Sequence, residues 1–360
     1  MDEPFYLCDL TKLKQQYELW REKLPNVKPY YAMKCNADPL VLKTLAALGV
    51  GFNCASMREL QTAAELGVDA DNIIFAHTCK PLSHLSFAAQ QNVLLSTFDN
   101  EAELYKIKEH LPQSNLVLRF RCDTALNAKF GCDVATEAKA LLSLAAKLQL
   151  RVVGTSFHVG AACEEPAAYE RAIATAKLLY DEGKSLGFAM PLVNLGGGFP
   201  GRKAHYFAPI ATAINAALAK YFANEPIEII AEPGRFFVET ADTLICKIMG
   251  KRVVRHASGE IQCILYYLND GNSGSFSMSR DYSNIQHFRA NADKLDMFQS
   301  ILWGPTCMSA DKIADNIYLP NLNIGELLVF PEMGAYGLSR ATEFNGMPLP
   351  KMLYYARQTV

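Results

Sequence analysis

Between residues 27 and 231 the chain alternates eight times between a short, apolar, β-rich run and a stretch of helical periodicity, and few folds accommodate that pattern. The strand-like runs are 27–34, 50–55, 72–76, 93–98, 116–121, 152–159, 192–195 and 228–231. Helical spacing fills 39–48, 57–66, 81–90, 100–111, 136–148, 166–186 and 207–221 between them, with Gly49 and Gly67 as stops. The runs are too uniformly apolar to be half exposed, which points to a parallel sheet covered on both faces. Eight units over roughly 230 residues match the usual size of a closed (β/α)8 barrel. A doubly wound open sheet is the competing architecture. It is disfavoured by eight unbroken repeats and by the lack of a G-x-G-x-x-G after the first strand.

A helix over 9–24, with Leu10, Leu13, Tyr17 and Trp20 at helical spacing, leads into the barrel. Past Gly234 the texture changes to strand patterns at 236–255, 262–268, 300–304, 326–330 and 351–357, separated by Asp-Gly, Gly-Pro and Asn-Gly turns. The expected fold is therefore α/β: a TIM-like (β/α)8 barrel over 6–241 followed by an all-β domain over 242–360. Residues 1–5 are candidates for an edge strand of the second domain.

Composition narrows the function by exclusion. A formal charge of −2 and a pI near 6.4 provide no basic face for nucleic acid or anionic membrane, and no apolar run approaches the roughly 18 residues of a membrane span. The chain opens on Met1-Asp2-Glu3-Pro4, without the basic and apolar segments of a signal peptide. Its ten cysteines are scattered, with no C-x-x-C pair and no zinc spacing, so free thiols in a reducing cytoplasm and no metal site are expected.

In a barrel of this kind, chemistry gathers at the carboxyl ends of the strands. Reading that position in order gives Lys34, then Asn53 with Ser56 and Glu59, His77, Arg119 with Arg121, His158, Gly196-Gly197-Gly198, and Glu232 with Arg235. Each alone has an ordinary explanation: a lysine at a loop start is usually solvated, and histidine or arginine at a strand end often only packs. Together they suggest more. A lysine held in apolar surroundings can lose its proton and attack a carbonyl. Three glycines after the seventh strand, with Glu-Pro-Gly-Arg after the eighth, fall where barrels commonly build a phosphate site. A lysine, a phosphate cradle and a carboxylate in one mouth suggest pyridoxal 5'-phosphate, with Glu232 keeping the pyridine nitrogen protonated.

The chain resembles the alanine-racemase-fold decarboxylases, most closely the ornithine decarboxylases. The resemblance rests on Tyr-Ala-Met-Lys-Cys-Asn around Lys34, Cys-Ala-Ser with Glu59, Ser-Phe-His-Val-Gly around His158 and Gly-Gly-Gly-Phe-Pro-Gly from Gly196. Ala-Glu-Pro-Gly-Arg to Arg235, Asn-Asp-Gly around Asp270, Trp-Gly-Pro-Thr-Cys to Cys307 and Met-Gly-Ala-Tyr to Tyr336 extend it through most of the chain. It implies that Lys34 holds the cofactor's aldehyde, His158 stacks on its ring and Glu232 binds its nitrogen. Gly196, Gly197, Gly198, Arg235 and Tyr336 would hold the phosphate, and Arg119 belongs with the cofactor's ligands. Cys307, from a partner subunit, would protonate the substrate α-carbon, with a buried structural thiol as the plain alternative. Asp270 would receive the distal amine of an amino-acid substrate. Lys129 and Asp311 match a pair that bridges subunits, so the resemblance implies a homodimer with active sites at its interface.

Four departures from the family pattern bear on substrate. Met308 stands where a second acid follows the Trp-Gly-Pro-Thr-Cys motif, Asn53 and Asn194 each replace an aspartate, and Ala161 replaces a serine. The loop from Arg119 to Lys129 and the N-terminal segment are also shortened. Losing one charge-assisted hydrogen bond to an ammonium would weaken binding by roughly 1.5–3 kcal/mol, or about ten- to a hundredfold. Ornithine or a related diamino acid is the default substrate. Met308 favours an alternative, an amino-acid group carried on a larger molecule such as an aminocarboxypropyl-modified nucleotide of peptide-nucleotide antibiotic synthesis. A non-catalytic regulator resembling antizyme inhibitor is opposed by the joint presence of Lys34, His158, Glu232, Arg235 and Cys307. A racemase is opposed by Cys307, which replaces no obvious tyrosine base.

Overall fold

A computed structural model describes residues 2–122, 129–202, 204–278, 282, 284–289 and 295–357. The chain divides into two compact units, residues 14–237 and residues 1–13 with 238–360.

The first unit is a closed parallel barrel of eight strands: β2 (Val27–Ala32), β3 (Gly51–Cys54), β4 (Ile73–Phe75), β5 (Leu95–Phe98), β6 (Asn115–Arg119), β7 (Arg151–Ser156), β8 (Leu192–Asn194) and β9 (Glu228–Ala231). Closure is made where Val27, Lys28 and Pro29 pair with Ile229, Ile230 and Ala231. Helices α2 (Pro39–Ala47), α3 (Met57–Glu65), α4 (Leu82–Gln90), α5 (Glu101–His110), α6 (Ala138–Lys147), α7 (Pro166–Ser185) and α8 (Ala204–Phe222) occupy the crossovers. Their starts follow capping chemistry: Asp38 accepts from the amides of Leu40 and Val41 with Pro39 at the first position, and Asn100 accepts from that of Glu103. Tyr30, Ile74, Val117, Val153, Leu192 and Ile230 fill the interior, so the barrel is a packed core rather than a pore. Trp20 is fully buried, donates its indole N–H to the Val27 carbonyl at 2.8 Å, and packs against Phe199, Phe207 and Phe236.

The second unit is built on β1 (Phe5–Asp9) and β10 (Asp242–Arg255), β11 (Ile261–Leu268), β12 (Gln286–His287), β13 (Met297–Trp303), β14 (Lys312–Pro320), β15 (Leu327–Phe330) and β16 (Lys351–Tyr355). The sheet runs β12-β15-β10-β11-β13-β14, and β1 pairs with both β10 and β16. The N-terminal strand is thus enclosed on both sides rather than lying at an edge, and it begins where the expectation had it end. Its ladder, continued by the Asp9 amide to the Ala241 carbonyl at 2.9 Å, assigns residues 1–13 to this unit, including the start of α1 (Leu10–Lys23).

Two further differences have local causes. The run 236–255 is interrupted: a one-turn helix, α9 (Arg235–Val238), precedes β10, because Gly234 starts a turn that the Phe237 amide closes onto its carbonyl. Strand β14 escapes a periodicity reading because Asn316 sits at φ 54° and the β13 register shifts between Ser300 and Leu302, which breaks the alternation.

Candidate active site

Lys34, expected as the last residue of the first strand, lies two residues beyond the observed strand end. Strand β2 stops at Ala32, and Met33–Cys35 form a single 3-10 turn that buries Met33 and Cys35 and leaves the lysine exposed at the barrel mouth. The expected apolar setting is therefore found around its neighbours rather than around its ammonium. The turn is fixed to the loop after β9: the Ala32 amide donates to the Pro233 carbonyl at 3.1 Å, and a side chain at Gly234 would press within 3.0 Å of the Cys35 Cβ.

Glu232, half-buried directly after β9, is the best-organised acid of the mouth. Asn194, at the end of β8 and 0% exposed, donates Nδ2 to Glu232 Oε1 at 2.7 Å. Its own Oδ1 accepts from the Gly196 amide at 2.8 Å, and the Glu232 amide returns to the Gly196 carbonyl at 2.7 Å. Asn53 of β3, also buried, favours the Glu232 anion more weakly. Burial raises the Glu232 pKa above the ordinary carboxylate value. The Asn194 hydrogen bond opposes this most, followed by the charges of Arg119 and Lys34 and then by Asn53.

His158 follows β7 and accepts the Gly160 amide on Nδ1 at 3.0 Å, which leaves the proton of a neutral ring on Nε2. Burial, reinforced by the positive charges of Arg119 and Lys34, lowers its pKa to about 3, so the ring is neutral at physiological pH. Arg119, at the end of β6, lies 5.1 Å from the Phe130 ring centroid. His77 accepts the Cys79 amide at 2.9 Å, and its pKa is lowered chiefly by burial and then by Lys80, with Lys129 and Lys34 contributing.

The glycine triplet serves two purposes. Gly196 at φ +61° and Gly198 at φ +106° adopt left-handed backbone, and a Cβ on either would collide with the Phe157 or Gly160 carbonyl. Gly197 is different: a Cβ there would stand 2.9 Å from the Glu232 carbonyl and 3.1 Å from His158 Nε2. It keeps the space between those two residues bare. An exposed amine, an anchored carboxylate, a neutral imidazole and a bare glycine backbone are the donor set that a pyridoxal phosphate needs, and the residues present fit it.

In the sheet unit, Cys307 is exposed on the loop after β13, its amide held by Asn345 Oδ1 at 2.9 Å, and Met308 beside it is 38% exposed. Tyr336, half-buried, adopts φ +59°, an uncommon backbone for a bulky residue and a mark of constraint.

Two further acids, Asp270 and Asp311, are buried. Asp270 is only 5% exposed, and its Oδ1 accepts the amides of Gly271 at 2.8 Å and Ser275 at 3.2 Å. Burial raises its pKa to about 6. Its Oδ1 organises the loop, while Oδ2 is buried with no hydrogen-bond partner. Asp311 is 1% exposed and accepts from the Asn272 amide at 2.7 Å and from the Thr306 amide and hydroxyl at 3.0 and 2.6 Å. It clasps two loops of its own chain, while Lys129 is exposed with Nζ 4.9 Å from the Phe130 ring.

Sequence reasoning lacked one network altogether. Lys80 and Glu103, both closed to solvent, pair at 2.9 Å, and Lys106 reaches the other Glu103 oxygen at 2.6 Å. Lys80 also donates to the His77 and Thr97 carbonyls at 2.9 and 2.7 Å, which ties the His77 loop down. No spacing signals a pair separated by 23 residues. Asn194 was visible only as a departure from a motif. Among the described residues no His, Cys, Asp and Glu cluster could hold a metal, and no helix is long and apolar enough to cross a membrane. A groove of about 760 Å³ opens at the opposite end of the barrel, between the starts of β2 and β9, and contains none of these groups.

Residues 10–239 match the family described as pyridoxal-dependent decarboxylase, pyridoxal binding domain. Over 363 residues the chain is 45% identical to "Ornithine decarboxylase 2" of Drosophila melanogaster, covering 99% of this chain and 92% of that one. It is 38% identical to "Antizyme inhibitor 2" of Xenopus laevis, over 96% of this chain and 79% of that one. Among solved structures, the arginine decarboxylase of Paramecium bursaria Chlorella virus bound to agmatine superposes with a TM-score of 0.94 at 35% identity, over 99% of this chain and 96% of that one.

Proposed function

Because the chain belongs to the pyridoxal-dependent decarboxylases, a family whose pyridoxal-binding domain it matches over 10–239, we propose that it removes the carboxyl group of a basic L-amino acid, ornithine or a close relative. The chain is an amino-acid decarboxylase dependent on pyridoxal 5'-phosphate. The observation that carries the assignment of residues is the Asn194–Glu232 hydrogen bond beside the bare Gly197 and the exposed Lys34. Relatives named for ornithine and for arginine support a basic substrate.

Pyridoxal phosphate, when bound, supplies a ring that accepts the electrons left behind as carbon dioxide departs. Lys34 is the amine that holds it, and His158 offers a neutral face that adds no competing charge. Glu232 keeps a negative charge against the ring nitrogen. Gly196, Gly197, Gly198, Arg235 and Tyr336 bind the phosphate. Cys307, an exposed thiol, returns a proton to the α-carbon from a partner subunit, so the working unit is a homodimer. Ten free cysteines suit a reducing, cytoplasmic setting.

A second reading rests on Met308. With a thioether exposed at an expected acid position, a substrate whose tail is uncharged or carried on a larger molecule is the alternative. Carbon dioxide release by the cofactor-loaded protein, measured across ornithine, lysine, arginine and tail-modified amino acids, separates the two. Release from none of the basic amino acids would overturn the first. Mixing inactive Lys34→Ala and Cys307→Ala proteins tests the shared site, since only mixed dimers can regain turnover.

A further inference from the structure

We propose that Asn194 is a positioning residue that holds the Glu232 carboxylate in one orientation, and thereby keeps the cofactor's pyridine nitrogen protonated. The inference rests on the reading that Glu232 meets that nitrogen.

Asn194 cannot turn its amide around. Its Oδ1 is occupied by the Gly196 amide at 2.8 Å, so Nδ2 must face Glu232, where it lies 2.7 Å from Oε1. The Glu232 amide closes the ring onto the Gly196 carbonyl at 2.7 Å, which makes the acid and the glycine loop one rigid piece. Asn194 reaches the acid from β8, the neighbour of β9. Its carboxamide is buried, at 0% exposure.

The amide is what matters chemically. A carboxamide donates to a carboxylate without bringing a proton that titrates. A carboxyl group at 2.7 Å would instead face Glu232 as a like charge, and the two could not both ionise. The other charged or titratable groups acting on Glu232 are Arg119 and Lys34, which favour its anion, with His158 neutral alongside Gly197.

The test uses holoenzyme carrying cofactor labelled with nitrogen-15 in the ring and fixed to the protein by borohydride, so that variants cannot lose it. Ring-nitrogen protonation is then read by NMR against pH. Asn194→Leu is expected to shift the protonation equilibrium at least tenfold toward the neutral ring, and Glu232→Gln further. Asn194→Asp, nearly isosteric, is expected to add a titration step absent from the parent. An Asn194→Leu protein whose titration superimposes on the parent while Glu232→Gln shifts overturns the inference, whatever its melting temperature. A titration unmoved by Glu232→Gln overturns the underlying reading of Glu232 instead. An Asn194→Asp protein with no added step also counts against the role of the amide.

Discussion

Lys80 and Glu103 form an ion pair at 2.9 Å with both side chains closed to solvent, and the lysine's remaining protons go to the carbonyls of His77 and Thr97. The two members are not equally supported. Glu103 keeps Lys106 at 2.6 Å if Lys80 is removed, whereas Lys80 loses its ion-pair partner if Glu103 is removed. Glu103→Leu should therefore destabilise more than Lys80→Met, by about 3–5 kcal/mol, because it strands a buried charge. The double variant should recover part of that loss. Urea midpoints of the three proteins check the order, and equal midpoints for the two single variants would show that the network is not organised in this way.

Cofactor attachment is expected at Lys34 because it is the exposed lysine set by the Met33–Cys35 turn beside Glu232. Borohydride treatment of loaded protein followed by digestion should place the label on the peptide containing Lys34. Label on any other lysine would remove Lys34 from its role.

Stability should depend on pH through Asp270, whose folded pKa is raised to about 6 from 3.8. The sign follows from proton binding: the folded state keeps the proton longer than the unfolded chain, so the contribution is complete below about pH 3.8 and is lost as pH rises through about 6. Over that window it amounts to roughly 3 kcal/mol at most. Asp270→Asn, which keeps an acceptor for the Gly271 and Ser275 amides, should flatten the stability curve between those limits. Melting temperatures at stepped pH measure this, and an unchanged slope would mean that Asp270 does not titrate there.

The barrel was legible because its information is local: eight apolar runs, each closed by capping or turn residues, leave little choice of architecture. Lys34, His158, Gly197 and Glu232 were legible as residue types at strand ends, and the structure places the last three around one space. What escaped depends on contacts distant in sequence. Asn194 and Glu232 are 38 residues apart, and nothing in either neighbourhood signals the bond. The surroundings of Asp270 and Asp311 were hidden for a related reason. A motif identifies an acid but not its exposure: Asp270 accepts the Gly271 and Ser275 amides on one oxygen while the other is buried with no hydrogen-bond partner, and Asp311 accepts from Asn272 and Thr306. In the sheet unit, β14 was missed because a left-handed Asn316 and a register shift remove the alternation by which strands are recognised.

Specificity turns on Met308, which is 38% exposed beside Cys307. If the substrate is a diamino acid received elsewhere, Met308→Asp adds a carboxylate where the family pattern has one and should lower the Michaelis constant for ornithine by about ten- to a hundredfold, the worth of one charge-assisted hydrogen bond. The fold should be indifferent to the change, since an exposed side chain with no buried partner is replaced. If the natural substrate has an uncharged or anionic tail, the same carboxylate meets it with nothing to bind or with repulsion, and turnover of that substrate should fall while ornithine gains little. Asp270→Ala serves as the control: buried as it is, its loss should lower stability for every substrate alike rather than raise the Michaelis constant for the basic ones alone. Steady-state constants for both variants on ornithine, lysine and a tail-modified amino acid decide the matter. A Met308→Asp protein with no gain on any diamino acid would remove the basic-substrate proposal, and a selective effect of Asp270→Ala on ornithine would assign Asp270 to the substrate.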